Sequence, residues 1–146
     1  MTVKIRNAED GDFASWLTLW KGYLAFYESE LDDEVTLHTW KRALSPDSGL
    51  LCRLAEIEGE VVGFTFCVIH PGTWSRQPLC YLEDLFVAGE KRGRGAGRAL
   101  INAVCEEARV RRWSKVYWVT KTDNPARALY DKVAVLDDFV RYSVRV

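Results

Sequence analysis

The chain has 146 residues, 48% of them hydrophobic, and a formal net charge of −1, which suits a single folded domain over residues 1–146 and excludes a disordered chain or one held to nucleic acid by bulk positive charge. No apolar run approaches the ~20 residues needed to span a bilayer, and Met1-Thr-Val-Lys-Ile5 enters a strand-like segment without a signal-peptide core. The expected setting is cytoplasmic, with no membrane and no nucleic acid as partner.

In chain order, residues 3–6 read as a first strand, and Ala8-Glu-Asp-Gly-Asp12 supplies acidic capping residues before a helix. Phe13, Trp16, Leu17, Trp20, Tyr23, Leu24 and Tyr27 recur at helical spacing, an apolar stripe that reads as core. A second helix is expected over 34–44, stopped by Ser45-Pro46. Residues 50–57 and 61–70 form a hairpin around Glu58-Gly59-Glu60. A loop from His70 to Pro78 leads to a strand over 80–87, a glycine-rich turn and a long helix over 95–112. Residues 115–120 have a core apolar on both faces, as in the middle of a doubly covered sheet. Asn124-Pro125 is a helix start, with Asn as cap and Pro at the first helical position, and this helix runs to Val133. Residues 139–146 close the chain as a strand. The order is mixed α/β.

Cysteine and histidine usage closes off other chemistries. Cys52, Cys67, Cys80 and Cys105 lack a Cys-x-x-Cys pair, and three of them sit in apolar strand-like runs, so they read as buried, reduced thiols. His38 and His70 are the only histidines and have no acidic ligand pair beside them, so no metal is expected.

The richest stretch is Tyr81-Leu-Glu-Asp-Leu-Phe-Val87, then Lys91-Arg-Gly-Arg-Gly-Ala-Gly-Arg98. Glycines at alternate positions let backbone N–H groups approach a ligand, the following helix points its positive end the same way, and Arg92, Arg94 and Arg98 add charged donors. The ligand is therefore expected to be an anion, a diphosphate by preference. A Walker A loop needs Lys-Ser or Lys-Thr after its last glycine, and a dinucleotide fingerprint needs Gly-x-Gly-x-x-Gly early in a parallel sheet; neither occurs here. The alternative is an ordinary strand-to-helix turn with a solvated basic rim.

Arg92-x-x-Gly95-x-Gly97 resembles the acetyl-coenzyme A pyrophosphate loop of the GCN5-related N-acetyltransferases (GNAT). With the Tyr81–Val87 strand before it and an Asn124-x-x-x-x-x-Tyr130 helix after it, nearly the whole chain is similar to the diamine (polyamine) and yeast Hpa-type branch of that family. The resemblance implies a central, mixed, mostly antiparallel sheet of six to seven strands flanked by about four helices. It implies acetyl-CoA as cofactor, a small-molecule primary amine as substrate, direct attack of the amine on the thioester, and a homodimer. Protein or histone lysine acetylation, a non-catalytic acyl-CoA sensor and a nucleotide-binding regulatory domain stay open as alternatives.

By the same resemblance, pantetheine lies along Leu85, Phe86 and Val87, where a local splay frees backbone N–H groups and Leu85 can supply an oxyanion donor. The pyrophosphate takes the segment Arg92, Gly93, Arg94, Gly95, Ala96, Gly97 and Arg98, with Asn124, Arg127 and Tyr130 completing the cofactor site. Tyr130 is the candidate general acid for the leaving sulfur, a phenol being protonated at neutral pH; its place in the apolar stripe Ala126, Leu129, Tyr130, Val133 also fits simple packing. Glu83 and Asp84 are the candidate bases, only one of which faces the cleft unless a bulge intervenes. Tyr27 and Glu28 at the end of the first helix, Trp74 in the loop, and the Glu83–Asp84 pair are the expected acceptor residues; Trp74 fits a surface anchor for its loop equally well. Where the family commonly has Gly and an aromatic residue after Val133, this chain has Ala134-Val135-Leu136, so the turn into the last strand must be built differently.

Overall fold

The computed structural model describes residues 2–146. Five strands, β1 (Val3–Asn7), β2 (Leu50–Ile57), β3 (Glu60–His70), β4 (Leu79–Val87) and β5 (Lys115–Tyr117), lie in the order β1-β2-β3-β4-β5. The first three pairings are antiparallel and β4 pairs with β5 in parallel. Helices α1 (Phe13–Phe26) and α2 (Asp33–Leu44) cover one face, and α3 (Ala96–Arg111) covers the other. A short α4 (Arg127–Val133) follows β5. The architecture is the expected mixed, mostly antiparallel sheet between helices.

The aromatic stripe of α1 forms the core it promises. Trp16 is fully buried and stacks on Trp40 of α2 at 4.8 Å and on Trp20 at 5.4 Å, while Phe64 and Phe66 of β3 meet it edge-on. On the opposite face Leu100, Ile101 and Val104 of α3 pack on residues of β2 to β4, among them Ala55, Val62 and Leu82. The β2–β3 turn holds Glu58 and Gly59 at φ of 52° and 80°, the mirror-type hairpin turn whose twist matches the strands. Cys52, Cys67 and Cys80 are buried free thiols, as their apolar runs require, and Cys105 is half-buried. Two close approaches fix how α1 and β3 sit on β4. A Cβ at Gly22 would come within 3.1 Å of the Phe86 ring, and one at Gly63 within 2.9 Å of the Phe86 carbonyl oxygen.

Three expectations need correction. The strand over 139–146 does not form, which leaves five strands rather than six to seven. Ala134 leaves α4 directly in extended conformation (φ −147°, ψ 175°), in place of the left-handed glycine that would reverse the chain toward the sheet. The run after it carries Phe139, Val140, Tyr142 and Val144 exposed. β5 ends at Tyr117 rather than at residue 120, because the chain there diverges from β4. Finally, α4 begins at Arg127 rather than at Asn124. The Asn124 Oδ1 accepts from the Ala126 N–H at 2.9 Å, and a tight turn, with Arg127 N–H on Asn124 O and Ala128 N–H on Pro125 O, precedes the helix. Among the described residues, no helix is long and apolar enough to cross a membrane.

Candidate active site

The site is built on the far half of β4. Its parallel pairing with β5 covers only Leu79–Lys115, Cys80–Val116 and Tyr81–Tyr117, so from Leu82 onward the outer edge of β4 is unpaired and the sheet splays open. On the inner edge, Leu82 lies opposite Cys67 and Asp84 opposite Phe66, which leaves Glu83 as the extra residue of a bulge. The bulge resets the alternation. Leu82 and Leu85 both pack toward α3, while Asp84 and Phe86 take the α1 side.

The bulge also decides where backbone donors point. Ala88 N–H donates to Val62 O at 2.8 Å, and antiparallel alternation then turns Phe86 toward β3 and the N–H and C=O groups of Leu85 and Val87 outward, into the splay. The outward Val87 carbonyl is taken by the Arg92 Nε–H at 3.1 Å. The Arg92 guanidinium is sandwiched over the Phe86 and Phe26 rings, at 5.4 and 5.7 Å, tying the glycine turn to both β4 and α1.

The turn itself is an anion cradle. Gly93 and Gly95 lie at φ of 82° and 86°, and nothing lies within 4 Å of a Cβ placed on either. Gly95 caps α3, and the first N–H with a helical acceptor is that of Ala99, on Gly95 O at 2.9 Å. The N–H groups of Ala96, Gly97 and Arg98 therefore precede the first helical hydrogen bond, as at any helix start. Leu85, Phe86, Val87, Arg92, Gly93, Gly95, Ala96, Gly97 and Arg98 line one cleft of about 610 Å³. Its other wall is α1 and the α4 region: Tyr23, Phe26, Tyr27, Asn124, Leu129 and Tyr130.

Asn124 locks these walls together, its Nδ2 donating to Thr120 Oγ1 at 2.8 Å and to the Tyr27 hydroxyl at 3.4 Å. Tyr130 is half-buried, edge-on to Trp118 at 5.5 Å. Burial, with Tyr27 nearby as a lesser cause, pushes its phenol up to about 12, so it carries its proton at neutral pH.

Of the remaining sequence candidates, Arg94, Arg127, Glu28, Trp74, Glu83 and Asp84 are not part of this lining. Arg127 donates to Thr122 O at 2.7 Å, supporting the loop before α4. Trp74 is 98% exposed and Glu83 is exposed at the bulge. Glu28, also exposed, ends α1 at φ 52°, a left-handed position that costs a non-glycine residue about 1–2 kcal/mol. Asp84 is half-buried and accepts from the Tyr23 hydroxyl at 2.7 Å; burial first, then the charge of Glu83, raises its carboxyl to about 6 against the opposing Tyr23 hydrogen bond. Tyr23 escapes the sequence reading because a tyrosine in an aromatic stripe looks like core, and only its polar tip marks it.

A sequence profile described as the acetyltransferase (GNAT) family matches residues 13–134. The chain is 34% identical over 143 residues to the D-amino-acid N-acetyltransferase HPA3 of Saccharomyces cerevisiae, covering 96% of this chain and 89% of that one. It is 36% identical over 119 residues to a thialysine N-epsilon-acetyltransferase of Bos taurus, covering 73% and 67%. Among solved structures, a ribosomal-protein-alanine N-acetyltransferase from Brucella melitensis biovar Abortus 2308 superposes with a TM-score of 0.85 at 24% identity over the whole of both chains. AAC(6')-Iy in complex with the bisubstrate analogue CoA-S-monomethyl-acetylneamine superposes with a TM-score of 0.83 at 21% identity, again over both whole chains. These two show likeness of fold.

Proposed function

The chain belongs to the acetyltransferase (GNAT) family, and from that premise we propose that it transfers an acetyl group from acetyl-CoA to a primary amine of a small molecule by direct attack on the thioester. The observation that carries this reading is that the outward N–H of Leu85, the cradle at the start of α3 and the protonated phenol of Tyr130 share one cleft. The space left open before Gly93 and Gly95 fits a diphosphate at a helix N-terminus.

The residues divide the work. Backbone N–H groups from Gly93 to Arg98 hold the diphosphate, with Arg92, Arg94 and Arg98 supplying positive charge at its rim. Leu85, Phe86 and Val87 offer the unpaired strand edge to the pantetheine amides, and the Leu85 N–H stabilises the negative charge that develops on the thioester oxygen. As the C–N bond forms and the C–S bond breaks, Tyr130 gives its proton to the departing sulfur. Asn124 holds the walls in register. The names of HPA3 and of the thialysine enzyme favour amines of amino-acid type, and the acidic residues Glu28 and Glu83, exposed at the end of α1 and at the bulge, suit a cationic acceptor.

Acetyl-CoA at a hundred times its dissociation constant is expected to stabilise the fold by about 2.7 kcal/mol, read as a rise in Tm. Thiol release should follow with small amines from a panel of amino acids, polyamines, aminoglycosides and histone-tail peptides. A Tm shift with ATP but none with acetyl-CoA would sink the reading, and turnover of the peptides alone would move the acceptor to protein lysine.

The exposed apolar residues Phe139, Val140, Tyr142 and Val144 support a further element of the proposal, a homodimer in which this segment is covered by a second copy. Sedimentation should give twice the chain mass, and a chain truncated after Asp138 should sediment as a monomer. A full chain that sediments as a monomer at micromolar concentration overturns the dimer.

A further inference from the structure

Asp84 sits in a row with Cys52 of β2 and Phe66 of β3, both buried, beneath α1. Among the described residues no cation pairs with it. A carboxylate kept half-buried in an apolar row, with a phenol for company, costs stability that any amide or aliphatic side chain would spare. Its one side-chain hydrogen bond comes from Tyr23, which lines the cleft beside Leu85 and Tyr130, whereas Asp84 does not. A phenol has one proton, and Tyr23 spends it on Asp84 at 2.7 Å. What its oxygen offers anything else is lone pairs alone.

On the acetyltransferase reading above, we infer that Tyr23 is the group that takes the proton from the attacking amine, passing its own proton to Asp84 in the same step. The amine nitrogen bonds to the acyl carbon and loses a proton to the Tyr23 oxygen. The Tyr23 proton moves to an Asp84 oxygen, which leaves Asp84 neutral and Tyr23 intact, and Tyr130 protonates the thiolate that leaves. The net transfer is one proton from amine to thiol, and exchange with solvent returns the proton from Asp84 to Tyr130. Tyr23 is thus a catalytic residue, and Asp84 acts through it. Gly22 lets α1 lie close over the Phe86 ring, two residues along β4 from Asp84.

The titratable groups that interact with the Asp84 carboxyl are Tyr23 from α1, Cys52 from β2, and Glu83 and Tyr81 from its own strand. Burial raises the Asp84 carboxyl to about 6. The pH profile of kcat/KM should therefore show an acid limb near that value in the wild type.

Tyr23→Phe should lower kcat by ~100-fold, leave the acetyl-CoA-induced rise in Tm unchanged, and move the residual acid limb upward, because the hydrogen bond that lowers the Asp84 pKa is gone. Asp84→Asn, which keeps an acceptor for Tyr23, should lose the acid limb and much of kcat while melting no lower than wild type at pH 8. A purely structural link between α1 and β4 would instead lower Tm in both variants and leave the acid limb in place. Wild-type turnover and an unmoved acid limb in Tyr23→Phe, with acetyl-CoA still stabilising the fold, would overturn the relay alone. A wild-type chain that neither gains stability from acetyl-CoA nor releases thiol would overturn the acetyltransferase reading, and the relay with it.

Discussion

Tyr130→Phe lowers kcat and kcat/KM together, by about 100-fold or more if the phenol is the general acid, and leaves acetyl-CoA binding as it was. The substitution removes one hydroxyl and keeps the ring that packs edge-on against Trp118 at 5.5 Å. The half-buried site therefore loses little packing, and a change in kcat reports chemistry rather than folding. Equal losses in kcat and kcat/KM are the mark of an interaction made only in the transition state. The phenol, held at about 12 by burial, stays protonated across the working range, so the wild-type profile should show no basic limb from Tyr130 below pH 10 or so. Steady-state thiol release and a parallel acetyl-CoA titration by thermal shift check both halves. Unchanged kcat would remove Tyr130 from the chemistry and return it to the apolar stripe of α4.

How much of this was legible in the sequence depended on how local each feature is. The β2–β3 hairpin was readable because Glu58-Gly59 is a turn signal of the two residues themselves, and it forms with both at positive φ. The stripe of α1 and the strand over 50–57 were readable because burial on one face or both leaves a period in the sequence. The bulge at Glu83 was not, since it arises where β3 and β4 fall out of step, a property of the pair. In hindsight the apolar spacing of three between Leu82 and Leu85, in a strand that should alternate, is its trace. The missing sixth strand has a similar cause. Residues 139–146 carry strand-type composition, but a strand also needs an edge within reach, and the extended exit of Ala134 from α4 carries the chain away from one. At the site, the glycine turn was visible because it is contiguous, whereas Tyr23 and Asp84 are 61 positions apart and meet where α1, with Gly22 close against the Phe86 ring, lies on β4.

Gly95→Val separates the two things the turn does. Gly95 is the N-cap of α3 at φ 86°, a left-handed position that costs a β-branched residue about 1–3 kcal/mol of backbone strain. The added Cβ has open space around it, with nothing within 4 Å, so backbone strain should dominate the loss of stability and the variant should still fold. The larger loss is in binding. A cap pushed out of the left-handed region swings the N–H groups of Ala96 and Gly97 off their common target, and each hydrogen bond to a charged group is worth about 1.5–3 kcal/mol. Losing one or two such bonds weakens acetyl-CoA binding by about 100-fold, since each 1.4 kcal/mol is a factor of ten. Urea denaturation gives the first quantity, and isothermal titration with acetyl-CoA gives the second. If Gly95→Val shows the strain but binds acetyl-CoA as the wild type does, the diphosphate is not held at the start of α3. If it loses the binding while the Asp84-dependent acid limb survives at saturating acetyl-CoA, the cradle and the proton relay are independent parts of one cleft.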